Sequence, residues 1–454
     1  MDSKPFTSLK REPAFNMRVQ DILVNNSAFL RESHEHFPSG LSHDYFMWGI
    51  NPENEYRNLF LEVSSMYNIA VFLAFIAESV LDNEHWEAYK NGIAQWARNA
   101  AAEAYTDNMA FHYHTNKKDN PSFYEKQYKI MSQFYEASIA KIDGVKTTAS
   151  ELLKPIRKDF TGFPFYQLHV NPNRSTRLME QFLLESGTNY TIDNLNEDGW
   201  SLCVANINFV EQALNDLDNH YLLPYLRDRY RLRHEGQKVL LNGLAITRED
   251  ILDARAPEIM VSYTLAYFIA ATSTAYKLDR PLEAAYQNNL LQPVLNAADV
   301  LVRITNDLGP IASASPKTIE AIFDSLLSYH HKNITTTQTM TTLLEEWSDN
   351  TEILPFFAIR LKKDLTMGED NIARDYRTMH GSYTIYEQLA FMRESIIHYA
   401  QVYQSIRENF DADLTHLTKA LGSPIYSQLA KRFVIFHEQI YGNNYKGLSG
   451  DYAV

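Results

Sequence analysis

Apolar residues recur every three to four positions along most of the chain, which is the spacing of helices that bury one face. No stretch alternates regularly between apolar and polar residues in the way that predicts a strand, and no internal repeat is found. The pattern therefore predicts an all-α fold, a single large helical bundle. The predicted helices cover residues 56–81, 87–105, 122–142, 176–186, 202–222, 225–233, 251–277, 281–306, 318–331, 336–347, 353–365, 383–410 and 412–441.

The two ends of the chain differ from this pattern. Residues 1–40 are polar and contain three prolines, which predicts an irregular N-terminal arm packed on the body. Residues 443–454 are rich in glycine and predict a flexible tail. The all-helical domain is therefore expected to cover residues 41–442.

The helix predicted at residues 56–81 is apolar on every side over the stretch NIAVFLAFIA, so we expect it to lie at the centre of the bundle. It ends in carboxylates: Glu78 and Asp82 are four residues apart and share a helical face, and Glu84 follows. Mg²⁺ prefers such hard oxygen ligands. A buried helix that simply reaches solvent would end in the same way, so both interpretations stay open.

Two consecutive helices, residues 251–277 and 281–306, carry chemically distinct outer ends. In each helix of the pair, the leg that we compare covers 24 residues, which corresponds to a length of about 36 Å at the rise of an α-helix. An antiparallel pairing would bring Arg255 beside Asn306 and Asp307, at the mouth of an apolar interior. Such a site suits an anionic ligand with an apolar tail. Prolines mark two irregular points, since one at position 257 could start the first helix and one at position 293 could kink the second.

Composition narrows the class of protein. The chain has 454 residues, of which 45% are hydrophobic, and a net charge of −14, which disfavours nucleic acid as a partner. A single cysteine, Cys203, allows neither an internal disulfide nor a zinc cluster, and this is typical of a reducing, cytoplasmic setting. The longest apolar run, residues 69–77, is too short to span a membrane, and the N-terminus lacks the apolar core of a signal peptide.

Aromatic residues make up 13% of the chain. Most of them are expected to pack in the core. Others would line a cavity, where ring faces stabilise cations. The candidates on the central helix and on the first helix of the pair are Phe72, Phe75, Tyr263, Tyr267 and Phe268.

From about residue 232 to residue 331, the chain resembles the second half of class I terpenoid synthases. These enzymes form helical bundles around an aromatic pocket, with an acidic motif, an arginine that senses diphosphate, and the motif Asn-Asp-x-x-Ser/Thr-x-x-x-Glu. By this resemblance Arg255 is the sensor and Asn306 a metal ligand, 51 residues apart. The acidic motif falls on residues 78–84.

The resemblance implies a lyase that ionises a prenyl diphosphate to an allylic cation and then cyclises or quenches that cation. Mg²⁺ would be held by Asn306 and Asp307 together with the acidic motif at Glu78 and Asp82. Arg255, with Arg303 one turn before Asn306, would neutralise the leaving diphosphate. A homodimer is possible.

The chain departs from the family pattern in four respects. Its first half has no Asp-Asp pair followed by a third Asp three residues on. The Ser/Thr position of the metal motif is Pro310, and the Glu position is Ala314. The distance between the acidic motif and Arg255 requires an insertion at about residues 107–175.

Two other functions fit the same composition. One is a helical non-haem iron oxygenase resembling haem oxygenase, in which iron is bound by His and carboxylate side chains from several helices. The other is a helical binding protein without catalysis. Candidate iron-binding pairs are Asp216 with His220, Glu394 with His398, and His112 with His114.

Overall fold

The computed structural model describes residues 12–32, 36–167, 172–187, 189–217, 219–245, 247–333, 342–343, 364, 367–374, 377 and 383–441. Every regular element in these ranges is helical, so the predicted all-α class is confirmed. The helices predicted at 336–347 and 353–365, apart from residues 342, 343 and 364, lie outside the described residues, as does the tail at 443–454.

The helices follow one another with short connections, some of which form 3-10 turns. In chain order they are α1 (Pro13–Glu32), α2 (Leu41–Ile50), α3 (Arg57–Val63), α4 (Met66–Ala77), α5 (Asn83–Gly92), α6 (Ala94–Thr106), α7 (Tyr113–Asp119), α8 (Pro121–Ile142), α9 (Ala149–Leu153), α10 (Pro172–Ser186), α11 (Ile192–Glu197), α12 (Gly199–Asn215), α13 (Leu223–Leu241), α14 (Arg248–Arg255), α15 (Val261–Thr272), α16 (Asp279–Gln287), α17 (Leu291–Leu308), α18 (Pro316–Asn333), α19 (Ile385–Leu421) and α20 (Ile425–Tyr441).

Helix α20 joins the two main packing groups of the bundle. It lies against α4, which also contacts α1 and α6, and against α17, which also contacts α15 and α19. A third group forms where α13 packs on α8 and α14. The space enclosed between these groups contains the site described below.

The predicted central helix is buried but not continuous. It forms α3 and α4, which meet at an angle of 72° where Ser65 adopts a left-handed conformation with φ of 59°. Nine of the 12 residues of α4 are buried, as its all-round apolar sequence predicts. Among the described helices, no single one combines the length and the apolar character needed to cross a membrane; only α3 and α4 taken together across their bend do so.

The N-terminal stretch is more ordered than its sequence predicts. Residues 13–32 form α1, which buries Phe15, Val19 and Ile22 against the body. The Arg18 guanidinium donates a hydrogen bond of 3.0 Å to the carbonyl of Leu81, beyond the C-terminal end of α4. The expectation of irregular structure is therefore wrong for this stretch. Although its composition is polar on average, its apolar residues recur on one face of a helix and can be buried there.

The helical pair carrying Arg255 is interrupted in both legs. The first leg divides at a 3-10 turn, Pro257–Ile259, after which Met260 has a φ of 59°. The second leg divides after α16, and α17 begins at Leu291, so Pro293 lies in its first turn rather than at a kink. Despite these breaks, the two outer ends meet as the antiparallel pairing predicts.

A buried carboxylate holds the first of these breaks. Asp299 on α17 is 2% exposed, and its Oδ1 accepts a hydrogen bond of 2.7 Å from the backbone amide of Ser262 in the first turn of α15. Since Met260 precedes α15 without a capping side chain, Asp299 satisfies one of the free amides from a neighbouring helix. Burial raises the pKa of Asp299 to about 6, although the hydrogen bonds from Ser262 oppose the shift.

We expect Asp299→Asn to change how stability depends on pH. In the folded wild type, the pKa of Asp299 is about 6, above the ordinary value of 3.8. As pH rises, the unfolded chain therefore loses this proton before the folded protein does. The free energy of unfolding consequently falls as pH rises from 3.8 to about 6. The amide keeps the acceptor oxygen and removes the charge. From about pH 4.5 to 7.5, the free energy of unfolding of the variant, measured in urea, should rise by about 2 kcal/mol relative to that of the wild type. A difference that is the same at both pH values would contradict this role.

A glycine sets the distance between α13 and α14. A Cβ atom at Gly236 would lie 2.2 Å from the carbonyl oxygen of Ala254. The two helices therefore touch through their backbones at this point. Arg233, one turn before Gly236, and Arg255, the residue after Ala254, both line the cavity described below.

Replacing Gly236 with alanine should force these helices apart. We expect Gly236→Ala to lower the free energy of unfolding by about 2 kcal/mol, because overpacking against a backbone atom outweighs the higher helix propensity of alanine. Glu235→Ala, at the exposed neighbouring position, is the matched control and should stay within about 0.5 kcal/mol of the wild type. Equal stability of the two variants in urea unfolding would rule out the close approach.

Candidate functional site

A cavity of about 570 Å³ lies between the three packing groups. Its walls come from α4, α6, α7, α8, α13, α14, α15, α17 and α20, from the turns after α6 and α14, and from residues 368–370. The predicted insertion at 107–175 supplies one wall through α7 and α8, by way of side chains such as Met131 and Tyr135. The lining is charged in one part and aromatic in another.

The charged part is built around Arg255, at the end of α14. Its Nε lies 3.2 Å from a carboxylate oxygen of Asp307, and one of its terminal nitrogens lies 3.3 Å from Glu258. Arg303, one turn before Asp307 on α17, contacts the same carboxylate at 3.1 Å and donates to the carbonyl of Arg255 at 3.0 Å. We call these four side chains the arginine cluster. Although burial lowers the pKa of Arg255, Asp307 and Glu258 hold it above its ordinary value.

Asp307 lies behind the cavity rather than in its lining. It is 1% exposed, and it accepts hydrogen bonds from Arg255, from Arg303 and, at 3.0 Å, from the backbone amide of Ile372. The Asn371 side chain donates to the Asp307 carbonyl at 3.0 Å. The carboxylate therefore anchors residues 367–374 to the end of α17.

A second charged group faces the arginine cluster from α6 and α13. Glu103 and Asp107 are four residues apart at the end of α6, and both contact Arg233, with 3.3 Å between Arg233 and Asp107. The Asp107 side chain is 58% exposed, and it borders the cavity. Partial desolvation at the cavity, with the negative charges of Glu369 and Glu258, raises the pKa of Asp107, and solvent at the exposed face of the side chain screens this shift.

Residues 367–374 complete the charged part. Asp370 accepts a hydrogen bond of 2.7 Å from Nε2 of His114, and the backbone amide of His112 donates to Met367 at 2.5 Å. Burial would raise the pKa of Asp370, but His114 and Arg255 hold it well below its ordinary value. Glu369 borders the cavity beside this pair.

The aromatic part consists of side chains from α4 and α20, which we call the aromatic wall: Phe72, Phe433, Phe436 and His437. The Phe72 ring lies 4.7 Å from Phe433 and 5.1 Å from Phe436, centroid to centroid. His437 stacks on Phe433 at 5.0 Å with an interplanar angle of 20°. Tyr441, one turn later on α20, accepts a hydrogen bond of 2.7 Å from the Asn306 side chain and so joins the aromatic wall to α17.

Several residues singled out in the sequence therefore meet at one place. Arg255, Arg303, Asn306 and Phe72 all line the cavity, with Asp307 directly behind them. Their assigned roles in catalysis and metal binding stay predictions.

Glu78 and Asp82 lie elsewhere. Glu78 follows the end of α4 and pairs with Arg432 at 3.2 Å, and Asp82 precedes α5, where it accepts a hydrogen bond of 2.9 Å from the amide of His85. Neither borders the cavity. The structure does not bring these carboxylates to Asn306, because α4 ends at Ala77, Glu78 is held by Arg432 and Asp82 caps the next helix.

The other predicted lining residues are part of the packed core. Phe75 lies under the Arg432 guanidinium at 4.6 Å, and Tyr263 stacks on Tyr267 at 6.4 Å. Phe268 packs edge-on against Trp96 at 5.1 Å. All four are buried outside the cavity lining, as expected of aromatic residues that pack in a core.

The candidate iron-binding pairs each have other partners. Asp216 interacts with Gln95 and Gln212, and His220 with Ser273. Glu394 pairs with Arg248 and Arg377, and His398 with Glu249. His114 pairs with Asp370. In the described part of the chain, no three or more His, Cys, Asp or Glu side chains form a group that could hold a metal ion by themselves.

The sequence-based prediction missed two features of the site. Glu103 and Asp107 share a helical face, as Glu78 and Asp82 were expected to do, and the same spacing rule could have identified them. Phe433, His437 and Tyr441 follow at intervals of four, which predicts one continuous aromatic stripe on α20. Neither pattern by itself indicates which side of its helix faces a cavity.

Comparisons with known proteins add no identification. No family model, no curated protein and no solved structure matches this chain. The resemblance of residues 232–331 to class I terpenoid synthases stays a prediction, and the chemistry of the site must be argued from its own geometry.

The arginine cluster should contribute strongly to stability. We expect Arg255→Ala to lower the free energy of unfolding by about 3 kcal/mol, because it leaves the carboxylates of Asp307 and Glu258 undercompensated inside the protein. Arg231→Ala is the control, since Arg231 is 39% exposed and its pair with Asp143 lies at the surface, where about 1 kcal/mol or less is expected. Urea unfolding measures the free energy of unfolding of both variants. Equal losses would mean that the buried ion pairs of the cluster contribute no more to stability than a surface pair.

Proposed function

We propose that this protein is a class I terpenoid synthase-like lyase that ionises a prenyl diphosphate in the cavity. The observation that carries the proposal is the meeting of Arg255, Arg303 and Asn306 with an aromatic wall in one cavity. A ligand that fits it has an anionic group at one end and an apolar body at the other. The volume of about 570 Å³ is in the range of small-molecule sites, about 300–1,000 Å³.

The charge balance of the cavity favours an anion that arrives with divalent cations. Five carboxylates border it (Glu103, Asp107, Glu258, Glu369 and Asp370) against three arginines, an excess of two negative charges. A bare diphosphate would be repelled by this excess. Desolvation is the main cause of the raised pKa of Asp107, and Glu369 and Glu258 add a smaller part that a cation would relieve.

The oxygen donors at the cavity suit Mg²⁺. Glu103 on α6 and Asp107 in the turn after it present carboxylates, and Asn306 presents an amide oxygen from α17, all of them hard ligands. Both carboxylates also contact Arg233, so the ions would compete with this arginine for them. These three residues, rather than Glu78 and Asp82, would hold the ions together with the diphosphate. Mg²⁺ bound there would neutralise charge on the leaving diphosphate.

The chain's own residues account for the remaining requirements of the reaction. Arg255 and Arg303 would donate hydrogen bonds to the diphosphate as its bond to the allylic carbon breaks and the electron pair leaves with oxygen. The diphosphate would compete with Asp307 and Glu258 for these donors. The allylic cation left behind would face Phe72, Phe433 and Phe436, whose ring faces stabilise positive charge.

The test is turnover of prenyl diphosphates by the purified protein. With Mg²⁺ and geranyl, farnesyl or geranylgeranyl diphosphate, we expect release of diphosphate together with a terpene product, and loss of both when the metal is chelated. Arg255→Gln should reduce release about 100-fold, since one donor to the developing charge is lost. Arg231→Gln, at the surface, should leave it unchanged.

Absence of release from all three substrates by folded wild-type protein would overturn the proposal. Iron in the purified sample would then favour the oxygenase, and absence of both iron and turnover would favour a binding protein.

A further inference from the structure

One titratable group in the cavity is not used by the chemistry above. His437 lies in the aromatic wall, between Phe433 one turn before it and Tyr441 one turn after it. Its ring is also 5.5 Å from Phe72 and 5.3 Å from Phe436, centroid to centroid. An imidazole enclosed by four aromatic rings is the only group of this wall that can accept a proton readily.

The hydrogen bonding of His437 selects its tautomer. Nδ1 lies 2.8 Å from the carbonyl oxygen of Phe433, and a carbonyl can only accept, so Nδ1 carries the hydrogen. The lone pair of the neutral ring is therefore on Nε2. Within the described part of the chain, Nε2 makes no hydrogen bond, and His437 borders the cavity. Burial lowers the pKa of this imidazole to about 4, so the ring is neutral near pH 7.

His437 is also well placed along the cavity. Tyr441, which is hydrogen bonded to Asn306, marks the level of the proposed diphosphate site on α20. His437 lies one helical turn away from it, about 6 Å along the axis. A cation formed at the diphosphate end and extending along the aromatic wall would pass this ring.

We propose that His437 is the catalytic base that ends the reaction by removing a proton from the hydrocarbon cation. This inference rests on the proposed function. In the step, Nε2 takes the hydrogen from a carbon next to the cationic carbon, and the electrons of that C–H bond form the C=C bond of a neutral olefin. The imidazolium then gives its proton to the departing diphosphate. A weak base suffices, because a C–H bond beside a carbocation is extremely acidic.

The experiment compares His437→Phe and His437→Gln with the wild type under the assay of the proposed function. Phenylalanine keeps an aromatic ring in the wall and removes the base, and glutamine is a polar second variant in case the first does not fold. His416→Phe is the matched control, since His416 is exposed on α19 away from the cavity. Circular dichroism checks that each variant is folded.

We expect both His437 variants to release diphosphate within about threefold of the wild type. The share of the wild-type olefin among the products should fall at least tenfold, replaced by alcohols from capture of the cation by water or by olefins from loss of a different proton. An unchanged product mixture with normal diphosphate release would overturn the role of His437 alone. Absence of diphosphate release from the wild type itself would overturn the proposed function and, with it, this base.

Discussion

The buried ion pair between Arg255 and Asp307 is the interaction on which the site depends. It joins the ends of α14 and α17, and through the Ile372 amide it also holds residues 367–374 in place. Removing either charge would leave the other in a medium where unpaired charge is strongly unfavourable. The pair thus ties three separate stretches of chain into one wall, and it holds the guanidinium in a fixed position at the cavity.

The helix breaks beside this pair serve the same geometry. Helix α14 ends at Arg255, and the turn at Pro257–Ile259 with the left-handed Met260 redirects the chain into α15. Asp299 satisfies the amide of Ser262 that the break exposes, and Gly236 allows α13 to approach α14 closely enough to add Arg233 to the charged part. Local irregularity here is what lets several helices present charged side chains to one cavity.

The cavity combines two environments that select a ligand jointly. Its charged part carries carboxylates in excess of arginines, which favours an anion accompanied by divalent cations, and its aromatic part offers ring faces and one neutral imidazole. A purely apolar molecule would leave the charged side chains without a counterpart, and a small anion would leave the aromatic wall empty. An amphipathic ligand satisfies both, which is why we propose a prenyl diphosphate.

Three features could be predicted from the sequence, because helical period and helix length are local properties: the helical class, the bounds of α8 to within a residue, and the meeting of Arg255 with the end of α17. Which carboxylates face the cavity could not be predicted, because that depends on how the helices pack. Glu78 with Asp82 and Glu103 with Asp107 have the same spacing, and only the packing of α4 and α6 distinguishes them. The packing of the helices also determines which aromatic residues line the cavity and which fill the core. The sequence gives the type of each side chain, but the direction in which a helix presents that side chain depends on every neighbour that the helix contacts.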